Sequence, residues 1–173
     1  EFGYDVNYES SRGVRIDENI KAMGDYAFFT TAEYKPWKKL TIKPGLRGSY
    51  NSIYNAPIIP SIFFKYQVNK NNGIRFSYSR GFRAPSLKEL YYYFVDINHN
   101  IQGNPNLNAE SSNNFQLALR TEYEKGKCRF IWSNQFYFND LSNLITLAQI
   151  TSTEYGYVNM QRSQNYGFNS NLN

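Results

Sequence analysis

The sequence predicts an all-β chain, an antiparallel up-and-down meander of about eight strands. Three observations carry that expectation. Apolar and polar residues alternate through eight separate segments, the period of two that gives a strand two unlike faces. No stretch with helical periodicity competes with them. The connections between segments alternate between short polar turns and longer loops.

The first segment sets Phe2, Tyr4, Val6 and Tyr8 against Gly3, Asp5, Asn7 and Glu9. The second sets Tyr26, Phe28, Thr30, Ala32 and Tyr34 against Asp25, Thr31, Glu33 and Lys35. The third is the cleanest, with Leu40, Ile42, Leu46 and Tyr50 facing away from Lys39, Thr41, Lys43, Arg47 and Ser49. In the fourth, Ile58, Ile62, Phe64, Tyr66 and Val68 oppose Ser61, Lys65, Gln67 and Asn69. The fifth opposes Ile74, Phe76, Tyr78 and Phe82 to Arg75, Ser77, Ser79 and Arg83. After a long gap, Phe115, Leu117, Leu119 and Tyr123 form the sixth apolar face. The seventh carries Cys128, Phe130, Trp132, Phe136 and Phe138 and extends toward Leu144 and Leu147. The eighth holds Tyr155, Tyr157, Tyr166, Phe168 and Leu172.

Composition narrows the class. The 173 residues include 31 aromatics and 22 asparagines, and only 19% are charged, which excludes an acidic disordered chain and a charge-laced coiled coil. The single cysteine, Cys128, excludes an intrachain disulfide and a cysteine-based zinc site; in phase with Phe130 and Trp132, it reads as an inert thiol. The single histidine, His99, excludes a multi-histidine metal cage. The net charge of +5 sits in no Lys/Arg block, so no nucleic-acid partner is expected. No apolar run approaches the ~20 residues of a membrane helix. A membrane β-barrel remains open, because its alternating strands average out as polar. The opening Glu1-Phe2-Gly3-Tyr4 lies inside an alternating pattern without a signal-peptide profile, and the chain reads as an internal piece of a longer polypeptide.

The connections weigh between a barrel and a soluble sandwich. Pro36-Trp37-Lys38, Lys70-Asn71-Asn72-Gly73 and Glu124-Lys125-Gly126-Lys127 read as tight turns. The others, about 10–24, 51–56, 84–111 and 148–153, read as longer. Short connections at one end and long ones at the other are how outer-membrane barrels are built. A soluble β-sandwich with an aromatic core is the alternative; it has no reason to sort its loops by end. Loop sorting, with Tyr and Phe near segment ends, favours a fragment of a transmembrane β-barrel.

The connection over 84–111 is long enough to be functional. Ser86 followed three residues later by Glu89 has the spacing of a capping box, which predicts a short helix over Leu87–Tyr92. Gly103-Asn104-Pro105 is turn chemistry. The series Gly81-Phe82-Arg83-Ala84-Pro85, Leu87-Lys88-Glu89-Leu90-Tyr91 and Gly103-Asn104-Pro105-Asn106-Leu107 resembles TonB-dependent outer-membrane receptors. Ser112–Phe115, Phe138–Ile145, Tyr157-Val158-Asn159 and Tyr166-Gly167 resemble the same family. The ordered series covers most of the chain and is far more specific than any one box.

The resemblance implies a middle portion of a barrel of about 22 strands with a plugged lumen, in the outer membrane of a Gram-negative bacterium. It implies partners: outer-membrane lipid, the rest of the barrel and plug, the TonB complex through a region absent here, and a small-molecule metal complex. The implied function is binding and active import of that complex, haem or a ferric siderophore foremost, with no intrinsic cofactor. Haem receptors of this family place a histidine between the two outer boxes, and here His99 lies between Phe82–Pro85 and Asn104–Leu107. A neutral imidazole suits iron. Tyr91, Tyr92 and Tyr93 offer a phenolate or a stacking surface, and Asn104 sits in the third box. Arg83 has two readings: it grips a ligand carboxylate, or it pins the loop to a neighbouring strand or to Glu89. His99 likewise reads either as a metal ligand or as a plain loop residue. No enzyme motif is visible. A passive porin-like or adhesin barrel is the competing function.

Overall fold

The computed structural model describes every residue except Asn98, His99 and Lys127, and every side chain except those three and Asp17 and Glu18. Eleven strands and one short helix occur among the described residues. In chain order they are β1 (Phe2–Gly13), β2 (Asp17–Thr31), β3 (Tyr34–Trp37), β4 (Leu40–Asn51), β5 (Ile59–Gln67), β6 (Asn72–Arg83), α1 (Leu87–Tyr91), β7 (Tyr93–Val95), β8 (Asn100–Gln102), β9 (Glu110–Lys125), β10 (Cys128–Gln149) and β11 (Glu154–Leu172). The eight long strands pair antiparallel in the order β1-β2-β4-β5-β6-β9-β10-β11, the meander that the alternation predicts. The additional three are short. Strand β3 pairs with β4, while β8 and β7 extend the sheet beyond β11.

Register turns the alternating residues into rows that cross the sheet. Phe64, Phe76, Leu117, Phe136 and Phe168 stand side by side on one face. The next row is Ile62, Tyr78, Phe115, Phe138 and Tyr166. Aromatic pairs follow these rows, with ring centroids 5.0 Å apart for Tyr78–Phe115 and 4.6 Å for Phe136–Phe168. These rings stay substantially exposed, so this face packs against nothing within the chain.

One row further toward the long-loop end the same face changes character, to Arg80, Asn113, Asp140 and Gln164. At the other end, apolar residues continue to Tyr123 and Phe130. From Phe115 to Tyr123 is eight steps of ~3.4 Å, about 27 Å along the strand and about 21 Å after a ~40° tilt. That height suits the ~25 Å apolar band of a barrel that spans a bilayer.

Three boundaries differ from expectation. Residues 10–24 are not a long loop: β1 and β2 stay paired from Phe2↔Thr30 to Gly13↔Asp17. Strands β10 and β11 likewise stay paired to Gln149↔Tyr155, above a turn in which the Ile150 amide donates to the Glu154 carbonyl at 2.8 Å. Above the apolar band the β10–β11 hairpin adds its own apolar pairs, Leu144 with Met160 and Leu147 with Tyr157, to the backbone ladder. Pro36 and Trp37 belong to β3 rather than to the turn. Cys128 is exposed and in phase with Phe130 on β10.

Candidate functional site

The site is built on the connection from β6 to β9. Its first turn follows from local chemistry. Ser86 is extended and caps α1: its Oγ accepts the Glu89 amide at 3.3 Å, while the Glu89 carboxylate accepts the Ser86 amide at 2.8 Å. Leu87 and Leu90 are then fully buried, the latter against Leu107 and Ile145, with Tyr54, Tyr91 and Tyr157 around them. The Tyr54 hydroxyl donates to the Leu107 carbonyl at 2.9 Å, and burial pushes its phenol upward, so it remains a donor at neutral pH.

The third box closes over the helix. The Gly103 amide donates to the Tyr92 carbonyl at 2.6 Å, and a Cβ at this position would stand 2.6 Å from the Leu90 carbonyl carbon and the Tyr91 nitrogen. Only glycine fits so close a crossing. Asn104 uses all its groups: its amide donates to the Glu89 carbonyl, its Nδ2 to the Tyr157 carbonyl at 2.9 Å, and its Oδ1 accepts the Asn106 amide at 2.9 Å. Asn159 of β11 pairs with the backbone of Asn108 through both its Oδ1 (2.8 Å) and its Nδ2 (3.0 Å).

Arg83, at the end of β6, is held by two carboxylates. Its Nη1 and Nη2 donate to Glu89 at 2.9 and 3.2 Å, and its Nε and Nη2 donate to Glu110 at 2.8 and 2.6 Å. Glu110 also accepts the Ile145 amide at 2.7 Å, which joins β6, α1, β9 and β10. The guanidinium lowers the Glu110 carboxyl against its partial burial. Burial pushes Glu89 up, but bonds from Arg83 and Ser86 outweigh it and leave it lowered. The pair in turn raises Arg83 above its ordinary value. The structure therefore gives Arg83 the pinning geometry, and a ligand carboxylate would have to compete with Glu89 and Glu110.

Beyond α1 the loop reaches both ends of the sheet. Strand β8 pairs parallel with Glu154–Gly156 of β11, and β7 pairs antiparallel with β8. From β7 the Tyr93 amide donates to the Arg15 carbonyl at 2.7 Å, in the β1–β2 turn. The loop is thus a strap between the first hairpin and the last strand. Cations and rings gather along it. The Arg15 guanidinium lies 4.8 Å from the Phe94 ring centroid, Lys21 lies 5.0 Å from Tyr91, and Lys88 lies 5.4 Å from Tyr92. Tyr92 and Phe94 stack with 11° between their planes.

Of the residues singled out from sequence, Tyr91 and Tyr92 enter this cluster, Tyr93 is half exposed beside it, and Arg83 and Asn104 lie in the anchorage beneath. His99 lies outside the described residues. Sequence reasoning missed Arg15, Lys21, Lys88 and Phe94. Lys88 and Phe94 stood next to residues already chosen, whereas Arg15 and Lys21 lie far upstream and no local pattern marks them. Cations over ring faces suit a planar, anionic guest.

The TonB-dependent receptor-like β-barrel family matches residues 3–173. The chain belongs to that family. Among relatives, it is 26% identical over 117 residues to haemoglobin-haptoglobin utilization protein B of Neisseria meningitidis serogroup C, covering 68% of this chain and 13% of that protein. A probable haemoglobin and haemoglobin-haptoglobin-binding protein of Haemophilus influenzae is 36% identical over 53 residues, 31% of this chain and 5% of that protein. The chain therefore spans a small part of the curated relatives' length. Among solved structures, the siderophore receptor PirA of Pseudomonas aeruginosa superposes with a TM-score of 0.84 at 20% identity, covering 99% of this chain and 32% of that one. The hemophore receptor HasR of Serratia marcescens, in complex with its hemophore and haem, gives 0.81 at 13% identity, covering 99% and 36%. At these identities the likeness is one of fold. The chain is a TonB-dependent receptor barrel portion, and none of the names among these relatives is that of an enzyme.

Proposed function

We propose that residues 1–173 form one wall of an outer-membrane receptor that binds a scarce iron complex at its outer mouth and imports it with energy from TonB. The observation that carries this reading is the strap itself, which crosses the mouth from the β1–β2 turn to β11 and presents rings and cations along its length. Residues 84–111 are the extracellular capture loop, the apolar band meets outer-membrane lipid, and the remaining barrel, plug and TonB-binding region lie outside this chain. Haem or a ferric siderophore is the cargo, and the relatives named for haemoglobin and the siderophore- and haem-binding neighbours support that choice.

In this reading Tyr91, Tyr92 and Tyr93 supply ring faces to the guest, and His99 offers its imidazole to haem iron. Arg83 and Asn104 hold the posture in which those groups face outward. A haemin titration of the full-length parent receptor in detergent, read by the Soret band, tests this beside His99→Ala. A saturable shift that weakens at least tenfold in the variant, about 1.4 kcal/mol, is the expected result for haem. Absence of a saturable shift in the native receptor sinks the haem branch, and ferric siderophores then become the titrants.

A further inference from the structure

From Tyr34 to Lys88 the chain carries 11 lysines and arginines and no acid. Some of that charge is met from outside the stretch: Lys35 and Lys43 share Glu33, Arg47 meets Asp5, and Arg83 meets Glu89 and Glu110. Two short turns, at the end of the sheet away from the strap, keep theirs. Lys38 and Lys39 form the tight turn between β3 and β4, and Lys70 lies in the turn between β5 and β6. All three are exposed, and no carboxylate among the described residues pairs with them. The turns touch one another. The Gln67 amide donates to the Lys39 carbonyl at 2.8 Å, and Lys39 Nζ donates to the Val68 carbonyl at 3.0 Å. That bond leaves two of the three ammonium donors for another acceptor.

The rings beside these lysines narrow the choice of acceptor. Trp37 stands opposite Leu40 and Tyr34 opposite Ile42, and those two continue across the sheet to Tyr66 and Phe64. Both rings therefore extend the apolar face, 68% and 63% exposed. An aromatic ring at the edge of such a face sits at headgroup level, and lysines just beyond it reach the phosphates. A free anion would leave the rings in water. We propose that the β3–β4 and β5–β6 turns bind an anionic phospholipid of the inner leaflet in preference to a zwitterionic one. Lys38, Lys39 and Lys70 take its headgroup phosphate, and Trp37 packs on the glycerol and upper chain. A zwitterionic headgroup brings a cation of its own to three that already lack a counter-charge, whereas an anionic one brings none. The proposal rests on the receptor reading above, which sets the strap outward and these turns inward. It adds the lipid class and the residues that select it.

Tryptophan quenching by brominated lipid tests it on the full-length parent receptor, reconstituted into vesicles with a minority of phosphatidylglycerol in phosphatidylethanolamine. In one preparation the phosphatidylglycerol carries brominated chains; in the other an equal amount of the phosphatidylethanolamine does. The difference between native receptor and Trp37→Phe isolates the Trp37 signal. Brominated phosphatidylglycerol is expected to quench it at least ~5-fold more strongly, the preference of about one lysine near an anionic surface. The triple variant Lys38→Gln/Lys39→Gln/Lys70→Gln should bring the two lipids to parity. The charge-matched Lys43→Gln/Lys65→Gln/Arg75→Gln, on the polar face, should keep the preference. Equal quenching of native Trp37 by both lipids overturns the proposal, and so does parity in the charge-matched variant. Loss of the preference on adding inorganic phosphate at constant ionic strength marks a free-anion site and overturns it too. Trp132, on the apolar face and isolated through Trp132→Phe, separates the two ideas. If both lipids quench Trp132 while Trp37 shows no preference, the lipid site alone is lost. If neither lipid quenches Trp132, the membrane-barrel reading is lost and the lipid site with it.

Discussion

Replacing Arg83 by alanine removes a side chain that ties α1 and β9 to β6. Four hydrogen bonds to two carboxylates are lost. Bonds to charged groups contribute ~1.5–3 kcal/mol each before screening. The Arg83 side chain is 45% exposed, which cuts that figure sharply. Glu89 and Glu110 are only 16% and 14% exposed, so truncation also strands two carboxylates near each other with little water. Setting screening against stranding gives a local cost of about 2–3 kcal/mol, an increase of ~30- to 150-fold in the population of undocked strap. Hydrogen exchange in the parent receptor reads this directly. The Leu90, Tyr92, Gly103 and Asn104 amides, all bonded within the strap, should speed up by that factor. Amides of β9 and β10 within the apolar band should not change. Adding Glu89→Gln to Arg83→Ala should recover part of the loss, since it removes a stranded charge. Native exchange rates at α1 in Arg83→Ala would refute the pinning role.

The other predictions probe the strap and the band. Acid should undock the strap: Glu89 and Glu110 are lowered in the folded state, so their contribution is complete above the ordinary glutamate value of 4.5 and disappears as pH falls through the lowered values; limited proteolysis between residues 84 and 109 from pH 7 to 3 should show onset only below that value, and cleavage that starts near pH 6 would contradict it. Gly103→Ala should cost ~1–3 kcal/mol of strap docking, because the new Cβ meets backbone atoms of Leu90 and Tyr91 that have no rotamer to yield; exchange at Tyr92 faster than in the parent receptor checks this. Leu119→Arg, in the middle of the Phe115–Tyr123 band, should destabilise the receptor in phospholipid by ~2–4 kcal/mol, whereas Gln116→Arg on the polar face should not; a lower urea midpoint for Gln116→Arg than for Leu119→Arg would mean that the faces are assigned backwards.

How much of this was legible follows from what each residue touches. The eight long strands could be read because lipid-like and water-like surroundings impose a contrast on alternate residues, as in Phe76-Ser77-Tyr78-Ser79. The far ends of β1 and β2 could not, because Ser10-Ser11-Arg12-Gly13 carries no apolar alternation and its pairing rests on the backbone, which is nearly silent in sequence. Helix α1 was legible because capping is settled within four residues, Ser86 to Glu89. The partners of the strap were not. Arg15 and Lys21 meet Phe94 and Tyr91 only because the meander returns the loop to the first hairpin.

The ordered boxes acquire a single physical meaning in the structure. The first supplies Arg83 and buried Pro85; the second supplies Glu89, Leu87 and Leu90; the third supplies Gly103, Asn104 and Leu107. Glu110, which follows the third box, receives Arg83, and Asn159 of a later box holds the backbone of Asn108. The side chains named here are spent on the posture of the loop. Such boxes report that a strap exists and how it is anchored, and they say little about the guest. In the proposed reading, selectivity falls to side chains outside that anchorage, such as Arg15, Tyr93 and Val95 along the outer edge. Exchanging those three between two receptors with the same boxes should move ligand preference while leaving amide exchange at Leu90 and Gly103 unchanged.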